Sequence, residues 1–250
     1  MSAEGFAAGP PQGETRPLGG QRSTRSGKRG GNIVFFDLDH TLLSGDSDVL
    51  WCDFLIAQGL LDAADFGAQN ADMDARYRAG TVGLDEFANF YVGTLAGRSP
   101  QDWEPLRQRF LHDVIVPRIP PSALALVQQH QAAGDLVVMT TATNRFITEL
   151  TAAHIGIEHL IATEPVVANG VFSGRSTGTL NMREGKVARL HAWLQDRAQS
   201  LDQFHSSAYS DSINDLPLLS AVNWPVAVDP DARLRAQAMQ RGWRILALER

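Results

Sequence analysis

Thiols are almost absent from this chain: Cys52 is its single cysteine. No disulfide can close within it and no cluster of thiolates can hold zinc, a usage that fits a reducing cytoplasm. Cys52 itself reads as a small apolar residue of a helix rather than a reactive group. Long apolar runs are missing as well. None is long enough to cross a bilayer, so no membrane role is expected. The first 31 residues lack the continuous apolar region of a secretory signal. Rich in Gly, Pro, Ser and Arg, they would bury little if ordered, and residues 1–31 are expected to form a disordered tail. Excess positive charge is also lacking: 22 Lys and Arg stand against 28 Asp and Glu, a formal net charge of -6. That balance disfavours a nucleic-acid partner and still permits a locally positive pocket for a small anion.

What is present is an ordinary apolar share of 44%, enough for a sizeable core. Ile33-Val34-Phe35-Phe36 is a short continuous apolar run, the pattern of a strand buried on both faces of a parallel sheet. Leu136 to Met139, Leu160 to Thr163, His205 to Tyr209 and Pro225 to Val228 read the same way. Helical stretches alternate with them: Ser122 to Ala133, with Ser122 as N-cap, then Phe146 to His154, Glu184 to Asp196 and Leu216 to Ala221. Asn169-Gly170 marks a hairpin turn between Val166-Val167 and Val171-Phe172. The alternation predicts an α/β fold with a doubly wound parallel sheet. Between Ser44 and Pro120, apolar residues recur at helical spacing without a strand run. The expected organisation is therefore a core of residues 32–44 and 121–250, with a helical cap of residues 45–120 inserted after the first strand.

Three polar clusters follow three of the expected strands: Asp37-Leu38-Asp39-His40-Thr41, Thr141-Ala142-Thr143-Asn144 and Asp211-Ser212-Ile213-Asn214-Asp215. Strand ends on one edge of a parallel sheet converge, and open α/β sheets bind their ligands there. Such a pocket gathers the carboxylates of Asp37, Asp39, Asp211 and Asp215, with Lys186 the nearby cation by sequence order. Like charges so close require further positive charge, and a hard, oxygen-ligated cation such as Mg²⁺ supplies it. Trp51, Trp103, Trp193, Trp224 and Trp243 read as packing residues, with a substrate-facing place in the cap as the alternative for Trp51, and His40 reads as a residue that would line the site.

These residues carry a resemblance. Asp37 to Thr41 match DxDx(T/S), Val137 to Thr141 match an apolar strand ending in Ser or Thr, Lys186 matches a lone motif lysine, and Ser210 to Asp215 match (G/S)Dx₃D. In this order they resemble the haloacid dehalogenase-like (HAD) hydrolases, over nearly everything after Asn32. A helical insertion after the first motif looks like the cap of the phosphoserine phosphatase-like branch on a Rossmann-like core. The resemblance implies that Asp37 attacks phosphorus and becomes an aspartyl phosphate, and that Asp39 exchanges the proton with the leaving oxygen and then with water. It implies that Asp37, the Asp39 backbone carbonyl and Asp211 hold Mg²⁺, with Asn214 and Asp215 behind them. Thr141 and Lys186 would bind the phosphoryl oxygens. An aspartate two positions after the nucleophile is the mark of the family's phosphatases rather than its dehalogenases, which Asp39 satisfies.

For the leaving group, the resemblance puts an acidic residue nine positions after the nucleophile on the substrate ammonium, here Asp46. The alternative is that Asp46 or Ser47 caps a helix. The cap arginine that holds the carboxylate of phosphoserine aligns with Asn89, while Arg76 and Arg78 sit a turn or more away. The expected partner is accordingly a small phosphate ester of an amino alcohol. Histidinol phosphate stands first, because the run from Asp37 to Asp48 looks like bacterial members assigned as histidinol-phosphatases, and phosphoserine stands second. A phosphotransferase with an acceptor other than water and a non-catalytic phosphate-binding module are the readings from other classes. Nothing in the sequence sets an oligomeric state.

Overall fold

The computed structural model describes residues 30–249, so the expected tail lies almost wholly outside them. The chain enters through β1 (Asn32–Phe36) and makes four helices before returning to the sheet: α1 (Ser47–Ala57), α2 (Ala63–Ala79), α3 (Leu84–Gly93) and α4 (Pro100–Phe110). A π-turn at Leu111–Ile115 and a 3₁₀ turn at Val116–Arg118 bring it back. Then follow α5 (Pro121–Ala132), β2 (Leu136–Asn144), α6 (Arg145–Ile155), β3 (His159–Ala168), β4 (Val171–Thr177) and α7 (Glu184–Gln195). The last elements are β5 (His205–Ser210), α8 (Leu216–Ala221), β6 (Trp224–Val228), α9 (Ala232–Arg241) and β7 (Arg244–Leu246).

The seven strands form one sheet in the order β4-β3-β2-β1-β5-β6-β7. Every pairing is parallel except the β3–β4 hairpin, which turns at Asn169-Gly170 as the sequence indicates. β1 lies in the middle. The chain winds outward from it through β2 and β3, then crosses back to β5 and winds the other way. That reversal between β1 and β5 is the topological switch point, where a crevice opens beyond the strand ends. Asp37 follows β1 and Asp211 follows β5, so the fold brings them together from opposite halves of the chain.

Side chains of the central strands alternate between two cores. Val34, Phe36, Val137, Met139 and Tyr209 pack with α5, α6 and part of the inserted helices, whereas Ile33, Phe35, Val138 and Ala208 pack with α7, α8 and α9. Burial on both faces explains the unbroken apolar runs, and each fully buried Phe or Ile contributes about 1.5–3 kcal/mol. No single helix among the described residues is long and apolar enough to cross a membrane.

At three points the structure refines the sequence reading. Ser122 does not cap α5: the helix starts at Pro121 with Pro120 as cap residue, and the Ser122 hydroxyl donates to the Glu249 carbonyl. Proline at the first helical position is preset for the helix by its fixed φ, and Ser122, one residue further in, lies past the position from which a side chain caps. Trp51 is a packing residue, the first of its two readings, and does not face a substrate. It is fully buried between Phe54, Trp103 and Phe110, and its indole N–H donates to Thr94 Oγ1. The α9–β7 unit extends the sheet by a strand that the sequence reading leaves out. Cys52 is buried in α1 as expected, and desolvation holds its thiol far above the usual range.

Candidate active site

The loop after β1 folds around one carbonyl: the backbone N–H groups of Thr41, Leu42 and Leu43 all donate to Leu38 O. Leu38, Leu42 and Leu43 are fully buried, which anchors the loop from below. His40 turns it in the left-handed region, at φ 56°, a conformation that costs a non-glycine residue roughly 1 kcal/mol or more. The result aims Asp37 and Asp39 at a cavity of about 600 Å³, lined also by His40, Asp46, Thr143, Asp211 and Asp215.

Lys186 Nζ lies 2.7 Å from Asp37 Oδ1 and 2.6 Å from Asp215 Oδ2. The Ser210 hydroxyl also donates to Asp215 Oδ2 at 2.8 Å. Burial works against the Lys186 charge, but Asp215 and Asp37 more than offset it, so the ammonium is held more firmly than in water. Its position depends on Gly185: a Cβ there would collide with the Leu180 carbonyl oxygen, so only glycine lets α7 begin where Lys186 reaches the strand ends. Thr41 Oγ1 lies 3.1 Å from both Asp37 Oδ2 and Asp211 Oδ1 while accepting the Asp211 N–H. One hydroxyl hydrogen cannot serve both carboxylates. Burial pushes the Asp37 carboxyl up to about 7 against the opposing Lys186 charge, with Asp215 and Asp39 adding to the rise. Asp211 is held well above the carboxylate range by burial, then by Asp37 and Asp215. The ammonium thus pairs with Asp37 and Asp215, while Asp211 joins the cluster only through Thr41. This all-oxygen, charge-deficient set fits a hard divalent cation between Asp37 and Asp211.

Asp39 is gripped by three donors. Ser47 N–H donates to Oδ1 at 2.7 Å, and the hydroxyls of Thr141 and Thr143 each lie 3.1 Å from Oδ2. Thr141 was expected on the phosphoryl oxygens. In the structure it is fully buried, accepts the Thr143 N–H, and turns its own hydrogen to Asp39. Asn214 was expected behind a metal. Its side-chain amide instead donates to Tyr77 O at the C-terminal end of α2, and Arg233 donates to Ala79 O beside it. Asp46 is the N-cap of α1: Oδ1 accepts from Asp48 N and Val49 N, both at 3.0 Å, and the residue also lines the cavity. The cap reading of Asp46 is therefore the one the hydrogen bonds show. Burial, with the Asp39 charge, pushes it up to about 8.

The sequence reading missed several cavity residues. Arg78, Asp74 and Tyr77 reach the cavity because the end of α2 docks onto Asn214 and Arg233, and Phe87 of α3 joins them, stacked on Tyr77. Lys186 is thus not the sole cation of the site. Arg78 Nε donates to Asp74 Oδ1 at 2.9 Å, and Nη2 lies 3.3 Å from His40 Nε2. Asn89 points elsewhere, accepting from Ser176. Asp231 caps α9 and braces the Asp211 loop, accepting the Ile213 N–H and donating its own N–H to Asp211 O. These partners lie far apart in sequence, and only the i, i+4 spacing of Asp74 and Arg78 was there to suggest a pair.

Several known proteins are similar to this chain. Histidinol-phosphatase of Neisseria meningitidis serogroup C is 40% identical over 217 residues, 86% of this chain and 98% of that protein. Phosphoserine phosphatase SerB1 of Mycobacterium tuberculosis is 31% identical over 215 residues, 85% of this chain and 69% of that one. A crystal structure of a protein of unknown function from Bordetella pertussis Tohama I superposes with a TM-score of 0.82 at 43% identity, covering 86% of this chain and 97% of the other. The model of the haloacid dehalogenase-like hydrolase family matches residues 34–220, from the first strand through the Asp211 loop. With the switch-point crevice, the buried lysine and these similarities in agreement, the chain belongs to the haloacid dehalogenase-like hydrolases, among the phosphatases of that family.

Proposed function

We propose that this protein hydrolyses a small phosphomonoester whose alcohol carries an amine, with histidinol phosphate as the first substrate to test, through phosphorylation of Asp37. The observation that carries the reading is the Asp37–Lys186–Asp215 chain, whose two carboxylates line the cavity, together with Asp39 on the same cavity wall, held by three donors. Asp37 attacks phosphorus with one carboxylate oxygen, and the bond to the ester oxygen breaks. Lys186 offers its charge to the phosphoryl oxygens as they gain negative charge. Asp39 gives a proton to the departing alkoxide, then takes one from the water that attacks the aspartyl phosphate. Asp37, Asp211 and the Asp39 backbone carbonyl would hold Mg²⁺, which when bound adds positive charge beside the phosphoryl oxygens. Asp215 keeps Lys186 in place, and Asn214 ties the inserted helices to the same loop.

The leaving-group end of the cavity supports an amine. Asp46 and Asp74 line it, the Arg78 charge is already paired with Asp74, and Tyr77 and Phe87 offer stacked rings 4.3 Å apart for a flat group. An approaching ammonium restores the Asp46 charge that burial opposes. The 40% identical histidinol-phosphatase supports the same choice. Arg78 favours a second reading, because a guanidinium in the cavity suits the carboxylate of phosphoserine. The test is phosphate release from histidinol phosphate, phosphoserine, and a panel of sugar and nucleotide phosphates, with Mg²⁺ or with chelator. Turnover concentrated on histidinol phosphate and lost in chelator is expected. Turnover of phosphoserine over histidinol phosphate selects the second reading, and no Mg²⁺-dependent release from any ester refutes both.

A further inference from the structure

We infer that Asp48, in the first turn of the inserted helix α1, is a positioning residue for Asp39 that acts through the Thr143 hydroxyl; this rests on the proton-transfer role proposed for Asp39. Thr143 Oγ1 has three polar neighbours: Asp39 Oδ2 at 3.1 Å, Asp48 Oδ2 at 3.0 Å and Ser47 Oγ at 3.1 Å. A hydroxyl donates one hydrogen and accepts two. Two ionised carboxylates would compete for that single hydrogen, and one would be left facing an oxygen lone pair. One of the two acids must bring its own proton.

The surroundings decide which. Asp39 accepts from Ser47 N and Thr141 Oγ1 besides Thr143, so it is well supplied with donors. Asp48 is only 2% exposed, Thr143 is its one side-chain hydrogen-bond partner, and its Oδ1 has none among the described residues. No ion pair reaches it among those residues, and burial, then the Asp46 and Asp39 charges, holds its carboxyl well above the usual range. A bare carbonyl oxygen on a neutral acid costs far less than a bare carboxylate oxygen. Asp48 therefore carries the proton and donates it to Thr143 Oγ1. Ser47 Oγ donates to the second lone pair, and the Thr143 hydrogen has nowhere to point but Asp39 Oδ2.

The consequence for Asp39 is geometric. Thr141 and Thr143 together fill both lone pairs of Oδ2, so Oδ1 is left as the oxygen that exchanges a proton with the leaving group. Without Asp48, the Thr143 hydrogen is free to rotate and Asp39 loses the definition of its working atom. The chain also links α1 to the chemistry by a route separate from the Asp46 cap.

The experiment compares kcat and KM for wild type, Asp48→Leu, Asp48→Asn and Thr143→Val on 4-nitrophenyl phosphate, whose leaving group needs little proton donation, and on an alkyl phosphate, which needs it fully. Asp48→Leu and Thr143→Val are each expected to lower kcat about tenfold or more on the alkyl ester and about threefold or less on the aryl ester, since only the former depends on a positioned acid. Asp48→Asn presents an N–H to Thr143 and restores most of the alkyl-ester rate that Asp48→Leu loses. Thr143→Val, nearly isosteric, reports even if leucine at 48 impairs folding. Equal losses on both esters, no loss in either variant, or Asp48→Asn falling as far as Asp48→Leu would each overturn the inference. Wild-type inactivity on every ester in Mg²⁺ would instead remove the underlying reading and this one with it.

Discussion

Asp37→Asn should yield a protein that is inactive and, in the absence of metal, more stable. Asp37 is buried, and its carboxyl is raised from 3.8 to about 7. A carboxyl whose folded pKa lies above its unfolded value destabilises the fold when it ionises. The cost is absent below about pH 4, grows as pH rises toward 7, and is complete above that. A rise of about three pH units corresponds to roughly 4 kcal/mol. Asparagine removes that cost and weakens the Lys186 contact from a charged to a neutral hydrogen bond, a loss of about 1–2 kcal/mol. The net gain at pH 8 is about 2 kcal/mol, or roughly 4–8 °C in Tm for a domain of this size. Thermal unfolding in chelator at pH 5 and pH 8 tests it, with phosphate release followed in parallel. Wild type should lose stability between the two pH values, and the variant should lose less. An Asp37→Asn protein that melts below wild type at pH 8 in chelator, or shows the same pH slope, contradicts the reasoning. Near-native turnover would separately exclude Asp37 as nucleophile.

The remaining predictions concern neighbouring residues. Asp46→Asn keeps a good helix cap but removes the charge, so it should lower kcat/KM for an amine-bearing ester about tenfold or more while sparing an aryl phosphate; equal effects on both would leave Asp46 a cap alone. Gly185→Ala forces α7 away from Leu180 and should cost about 1–3 kcal/mol together with most of the activity, read by urea unfolding and phosphate release. Trp51→Ala should destabilise by about 3–5 kcal/mol without changing substrate preference, which checks that the indole is packing rather than recognition.

The fold was legible where burial is two-sided. Ile33 to Phe36 and Leu136 to Met139 announce themselves because both faces of their strands are covered, and Asn169-Gly170 because only a few residue types accept the positive φ it needs. The polar residues closing those strands were legible for the same reason: a carboxylate directly after an apolar run has to lie at a sheet edge. What escaped depends on docking between distant segments. Half of α9 is Arg or Gln and most of the rest is Ala, so its two buried anchors, Leu234 and Ala238, do not stand out. Nothing local to Arg78 shows that Asn214 and Arg233 will hold the last carbonyls of α2 and swing that guanidinium into the cavity. Nor does the spacing of Thr141 and Thr143 show that both hydroxyls turn inward on Asp39.

The Asn214–Tyr77 contact has a practical corollary for redesign. Asn214 shares a single turn with Asp211 and Asp215, and its amide grips the main chain of α2 rather than any side chain. Substitutions along α2 leave that grip intact, so residues such as Asp74 and Arg78 can be exchanged to admit other alcohols. Transplanting a foreign helical insertion is another matter. Unless its second helix ends at the same height above the Asp211 turn, the graft would drag on the carboxylates beneath it, and altered selectivity would arrive together with a slower chemical step.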